Sequence, residues 1–379
     1  HAPGLHDRAC WTPPASSAAL APLLRLLGGS ATLASVVVAE GAGWPVLLAT
    51  VDEVPRRDVA AHVALLAAGG ATGPVTRLVL QAALRRHRRR ELVRIGGRDL
   101  LGLASVDETV REISALAEGL IETAIVSVRA RLAGEWGEAR APGEDRPAFF
   151  CVLGMGKLGG AELNYSSDID LVYVYERDGE QAPGRTLAQF FSRLAEEVTR
   201  ALREVTAAGL CFRVDLRLRP GGGEGPVAVA LSAALSYYET WGQTWERAAW
   251  LKARPVGGDR ALGEQLLGEL VPYGYRRFLD YATIEDLKEM KRRVDASLRT
   301  VEAARRDVKL GRGGIREVEF LVQALQLVHG GKDARLRARG TLAALAALAA
   351  HGYVEPALAE SLAAAYRFLR DVEHKIQIV

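Results

Sequence analysis

Residues 149–175 limit the fold of this chain more than any other stretch. Two apolar runs, 149–153 and 171–175, are rich in valine, phenylalanine and tyrosine and read as strands. Between them come a glycine turn, Gly154-Met155-Gly156-Lys157-Leu158-Gly159-Gly160, and the turn-like Asn164-Tyr165-Ser166-Ser167. These lead into Asp168-Ile169-Asp170. Extended residues two apart project from one face, so the two carboxylates are brought together where the second strand begins. Burying them unpaired is costly, and a divalent cation removes the cost. Magnesium suits the place, because it takes hard oxygen ligands and commonly joins one or two carboxylates to substrate phosphates.

A third carboxylate is expected from the run 210–218. There Phe212, Val214, Leu216 and Leu218 alternate with Arg213, Asp215, Arg217 and Arg219. With the glycine-rich turn 220–225 and the run 227–231, it reads as a hairpin. Asp215 would then complete a three-carboxylate cluster, a set that with two metals clamps an in-line phosphoryl displacement. Arg217 and Arg219 would share its face and offer guanidinium forks to phosphate. Gly156 lets backbone approach phosphate oxygens, and Lys157 adds a point charge. A second anion site is expected at Gly311-Arg312-Gly313-Gly314, ahead of a helix starting near Ile315.

Gly154, Gly156 and Gly159 also spell a dinucleotide-binding fingerprint, with Glu176 at a suitable distance for the ribose. Length excludes that reading. A parallel crossover needs about a dozen residues or more, usually as a helix, and residues 160–167 are too few and too turn-like.

The rest of the chain reads as helix. Three- and four-residue apolar spacing predicts helices over 18–27, 59–66, 75–88, 108–132 and 187–205, and from about 232 to the end. The basic run 85–90 is expected at a helix end as a solvated face. Trp245, Arg247, Lys252 and Arg254 are expected on one helix, with Arg247 and Arg254 on a shared face. With 379 residues the chain divides into a helical region 1–147, a core 148–231 and a second helical region 232–379.

A net charge of +3 argues against nucleic acid as a partner. Cys10, Cys151 and Cys211 are odd in number and widely spaced, which gives neither a disulfide framework nor a zinc site and fits a reducing cytoplasm. No membrane-spanning run and no signal peptide is visible. A start without methionine and a stop inside a helical pattern read as a piece of something longer.

The glycine turn, the Ser-Asp-x-Asp entering a strand and the later strand aspartate together resemble the polymerase β-like nucleotidyltransferase superfamily. Lys157 stands where that superfamily usually has the serine of a glycine-serine pair. Residues 154–171, 212–220, 245–254 and 309–320, with 88–95 and Asp99-Leu100, resemble the bifunctional glutamine synthetase adenylyltransferase/adenylyl-removing family. The wording around Met155 and Glu162-Leu163-Asn164 is closer to its adenylyl-removing half. The resemblance implies an α+β fold, mostly helical, with a nucleotidyltransferase sheet flanked by large helical regions. It implies Mg²⁺ on Asp168, Asp170 and Asp215. It also implies nucleotide or phosphate contacts from Ser167 beside Gly156, Lys157, Arg217, Arg219, Gly313 and Gly314. The activity implied is phosphorolysis of adenylyl-tyrosine on glutamine synthetase to ADP. The alternative is ATP-dependent adenylylation by the homologous transferase half. Regulation by a PII signalling protein is implied as well.

Overall fold

The computed structural model describes residues 17–54, 56–140, 143–182, 184–276, 285, 292 and 307–378. Cys10 lies outside them. Among the described residues six α-helices come first: α1 (Ser17–Gly29), α2 (Ala31–Ala39), α3 (Trp44–Glu53), α4 (Val59–Ala68), α5 (Arg77–Leu100) and α6 (Val106–Trp136). Side-chain caps start several of them. Asp58 caps α4, Thr76 caps α5, and Ser105 caps α6, whose first turn adds Asp107 and Glu108 to meet the positive end of the helix. The basic run 85–90 lies inside α5 rather than at its end. Arg85 is buried and donates to the carbonyls of Ala201 and Gly209, 3.0 and 2.8 Å away. That run is therefore partly structural, because the packed core supplies carbonyl acceptors that sequence spacing does not reveal.

The core follows as β1 (Phe150–Gly154), α7 (Gly156–Gly159), β2 (Ile169–Tyr175), the small pair β3 (Glu180–Ala182) and β4 (Arg185–Thr186), α8 (Leu187–Arg203), β5 (Val214–Asp215) and β6 (Ala228–Ala230). After these come α9 (Leu231–Thr240), α10 (Thr244–Trp250), β7 (Arg254–Gly258), α11 (Arg260–Glu269) and α12 (Val271–Gly274). The chain ends with α13 (Ile315–His329), α14 (Thr341–Ala350) and α15 (Pro356–Ile378). The fold is α+β and mostly helical.

The sheet runs β5-β2-β1-β7, with β6 also on β2. β1 and β2 are antiparallel, Phe150 against Tyr175 and Gly154 against Leu171. An antiparallel pair cannot be the parallel crossover of a dinucleotide fold, so the fingerprint is incidental. Two expectations fail here. Residues 210–231 form no hairpin: β5 and β6 each pair in parallel with β2, β5 beside its start and β6 beside its end. The segment between β5 and β6 turns over the surface and never doubles back onto its own strand. The expected helix over 245–254 stops at Trp250, and Arg254 opens β7, the edge strand beside β1. Pro255 cannot continue a helix interior, which is the local reason for the change.

Both faces of the sheet are covered. Phe150, Val152, Leu171, Tyr173 and Tyr175 face α6 and α8 through a stack in which Phe191 lies against Phe150 and Tyr175. Cys151, Leu153, Val172 and Val174 face α9 and α11. Cys151 and Cys211 are buried free thiols. Among the described residues no single helix is long and apolar enough to cross a membrane.

Candidate active site

Asp170 is the second residue of β2, and the parallel register sets it directly against Asp215 of β5. The Met155 N–H donates to the Asp170 carbonyl at 2.9 Å, which draws the glycine turn over the entrance of β2. Gly156 has φ +50°, and a Cβ there would stand 3.0 Å from Asp170 Oδ2. Conformation and space both require glycine. The Asp170 carboxyl is pushed up to about 6, first by burial and then by the charges of Asp215 and Asp168. Among the described residues no hydrogen bond or ion pair reaches it.

The other two carboxylates have cations beside them. Arg213 Nε donates to Asp168 Oδ1, and its Nη2 donates to the Ser166 carbonyl at 2.7 Å. Asp215 accepts the Arg217 backbone N–H at 2.8 Å, its Nε at 2.9 Å and its Nη2 at 2.5 Å. Those hydrogen bonds hold Asp215 below the usual carboxylate range. The side chains of Arg213 and Arg217 are 64% and 84% exposed, so solvent screens both pairs and each stabilises little.

The remaining expected residues are placed as follows. Arg217 meets Asp215 through a local turn, because β5 ends at Asp215 and no period-two face continues to Arg219. Arg219 staples the glycine-rich loop. Its guanidinium donates to the carbonyls of Leu216, Gly223, Gly225 and Pro226 at 2.8–3.1 Å. Lys157 is mostly buried, 3.4 Å from Glu373 of α15, and burial together with Arg370 lowers it to about 8. Ser167 closes a tight turn with Asn164, whose N–H reaches the Ser167 hydroxyl at 3.2 Å. Gly314 is the N-cap of α13, as expected of a helix starting near Ile315. The Gly313 N–H donates to Glu317 in the first turn of α13 at 3.0 Å and the Gly314 N–H to the Gly311 carbonyl at 2.9 Å, so both amides have local partners.

The chemistry of the donor set fits Mg²⁺: three carboxylates, one of them half-buried with no ion-pair partner among the described residues. Their spacing as it stands does not close a ligand set, since among the described residues no three acidic or histidine side chains lie close enough to share an ion.

Beneath the site lies a buried polar layer that sequence spacing missed. Lys252 Nζ donates to Glu162 at 2.7 Å and to the Thr341 hydroxyl at 2.9 Å. Arg254 grips Glu118 of α6 at 2.7 and 3.0 Å and also donates to the carbonyls of Leu158 and Gly159, both at 3.0 Å. Lysine scarcity singles out Lys252, but nothing in the sequence says which carboxylate it meets.

A mixed sheet buried between helices, with facing aspartates at the mouth of a glycine turn, defines a nucleotidyltransferase-type core. The family model described as glutamate-ammonia ligase adenylyltransferase matches residues 22–269, and one described as GlnD PII-uridylyltransferase matches 282–379. The chain is 46% identical to the bifunctional glutamine synthetase adenylyltransferase/adenylyl-removing enzyme of Pseudomonas aeruginosa, over 78% of this chain and 30% of that protein. The enzymes of the same name from Xanthomonas campestris pv. campestris and Nitrosococcus oceani are each 45% identical, over 79% and 80% of this chain and 32% and 31% of those proteins. The chain thus belongs to the glutamate-ammonia ligase adenylyltransferase family, and it spans about a third of the length of these relatives.

Proposed function

We propose that this chain removes AMP from an adenylylated tyrosine of glutamine synthetase by phosphorolysis. The observation that carries the reading is Asp170 in register with Asp215, its charge unbalanced at the glycine turn. Asp168, Asp170 and Asp215 would hold Mg²⁺, which when bound supplies charge neutralisation at the phosphodiester. A phosphate oxygen forms the new bond to the AMP phosphorus. The bond from that phosphorus to the tyrosine oxygen breaks, and ADP results. The leaving phenolate has a pKa of about 10 and takes a proton from solvent. Such transfer is mostly positioning and electrostatics. Arg217, once free of Asp215, presents a fork to the incoming phosphate. Gly156 admits the nucleotide close to the backbone, and Ser167 shapes the turn that carries Asp168. The helices around the sheet receive the protein substrate. The uridylyltransferase-type match over 282–379 supports a PII signalling protein as regulator, and the reaction belongs in the cytoplasm.

The test is direct. Adenylylated glutamine synthetase with phosphate and Mg²⁺ should yield ADP, and Asp168→Asn with Asp170→Asn should abolish it without loss of fold. Consumption of ATP with unmodified glutamine synthetase, and no ADP from the adenylylated form, would assign the opposite direction.

A further inference from the structure

The segment that delivers Asp168 to the site is held from behind. Asp99, buried near the end of α5, meets three groups from two other parts of the chain. Its Oδ2 accepts the Tyr165 hydroxyl at 2.8 Å, and its Oδ1 accepts Lys375 Nζ at 2.5 Å. His374 Nδ1 stands 3.4 Å from Oδ2, with its ring edge-on to Tyr165. Burial alone pushes the Asp99 carboxyl up, but His374 close beside it and the hydrogen bonds from Lys375 and Tyr165 hold it below its ordinary value. One residue on, the Ser166 N–H donates to Gln377 Oε1 of α15 at 3.2 Å. Asn164 and Ser167 then close their turn, and Asp168 follows. Asp168 itself is exposed, and its ion-pair partner among the described residues is Arg213. Ahead of it, Tyr165 is tied to Asp99 and Ser166 to the end of α15.

We propose that Asp99 is a positioning residue for nucleotidyl transfer: through Tyr165 and the end of α15 it holds the 164–168 turn so that Asp168 meets the metal beside Asp170 and Asp215. Asp99 touches neither metal nor substrate. The proposal rests on the functional reading above for its purpose, though not for its first readout. In the register of charges, the buried acid ties an N-terminal helix, the active-site turn and the last described helix to one point.

The experiment uses the whole chain carrying Tyr165→Phe, Asp99→Asn or Asp99→Ala, with Arg367→Ala as control. Arg367 also ties α15 to α6, through Asp107 at 2.9 Å, but on the exposed side and away from the turn. The first readout is amide hydrogen exchange of residues 163–168; the second is Mn²⁺ or Mg²⁺ binding by calorimetry without substrate. Tyr165→Phe and Asp99→Ala should speed exchange in the turn at least tenfold and weaken metal binding about three- to tenfold. Asp99→Asn, which keeps an acceptor for the tyrosine, should recover part of both. Arg367→Ala should leave both unchanged. Unaltered exchange and metal affinity in Tyr165→Phe and Asp99→Ala, with only a lowered melting temperature, would overturn the proposal. Because neither readout involves turnover, a parent chain that binds metal but lacks phosphorolysis refutes the functional reading and leaves this one standing.

Discussion

Replacing Asp170 by asparagine should make the metal-free protein more stable while ending its activity. A carboxyl held at about 6 instead of its ordinary 3.8 disfavours the charged form by about 3 kcal/mol in the folded state. The sign follows from the raised value. The folded state keeps the proton that the unfolded chain has already lost between pH 3.8 and about 6, so stability is full below that window and falls as pH rises through it. At pH 8 and without divalent metal the wild type bears the whole cost. Asp170→Asn, isosteric and neutral, does not. It should gain up to about 3 kcal/mol, or roughly 6–12 °C in melting temperature at the ~2–4 °C per kcal/mol of larger domains. At pH 4 the two proteins should melt within a degree or two of each other. Mg²⁺ at a hundred times its dissociation constant should then restore about 2.7 kcal/mol to the wild type and nothing to the variant. Thermal melts at both pH values, with chelator and with Mg²⁺, decide the matter. An Asp170→Asn protein that melts at or below the wild type in chelator at pH 8 refutes the claim that burial and neighbouring carboxylates disfavour this charge.

Three other outcomes follow from the same geometry. Arg217→Ala should leave the urea midpoint almost unchanged, tighten metal binding about two- to fivefold in calorimetry because Asp215 loses its competing cation, and raise the KM for phosphate. Lys252→Met should lower stability by about 3–5 kcal/mol by leaving the Glu162 charge buried without its cation, and the double change with Glu162→Gln should recover much of that loss in a mutant cycle. Burial, with His87 and Arg94 nearby, lowers His62 to about 3, so the unfolded chain binds a proton there before the folded one does. Stability should fall as pH drops below about 6.5, and His62→Gln should flatten that slope in melts at pH 4 to 7.

The sequence carries the centre of this fold well. Strands at 149–153 and 171–175 were legible because β-branched and aromatic residues cluster between turn signals, and the observed strands Phe150–Gly154 and Ile169–Tyr175 differ from them by two residues at most. Asp168 and Asp170 were legible because two carboxylates at the mouth of an apolar strand need a reason. Register was not legible. Asp215 does come to stand beside Asp170, yet through a two-residue parallel strand and not a hairpin arm, and no local pattern distinguishes the two. Strand β7 was hidden because Arg254-Pro255-Val256-Gly257-Gly258 has neither alternation nor length, and it becomes a strand only because the edge of β1 is there to pair with it. Partners of buried charges were hidden for a related reason. Asp99 and Lys375 are 276 positions apart, and only the folded chain brings them together.

Arg85 sets a schedule for the newly made chain. Its guanidinium serves the carbonyls of Ala201 and Gly209, which lie 116 and 124 residues further along. At synthesis rates of about 5–20 residues per second, those acceptors leave the ribosome roughly 6–25 seconds after Arg85 does. Helix α5 must spend that interval with a cation facing the place where α8 will arrive. Around Arg85, helix α5 reaches its final packing only when α8 and the turn after it have been made.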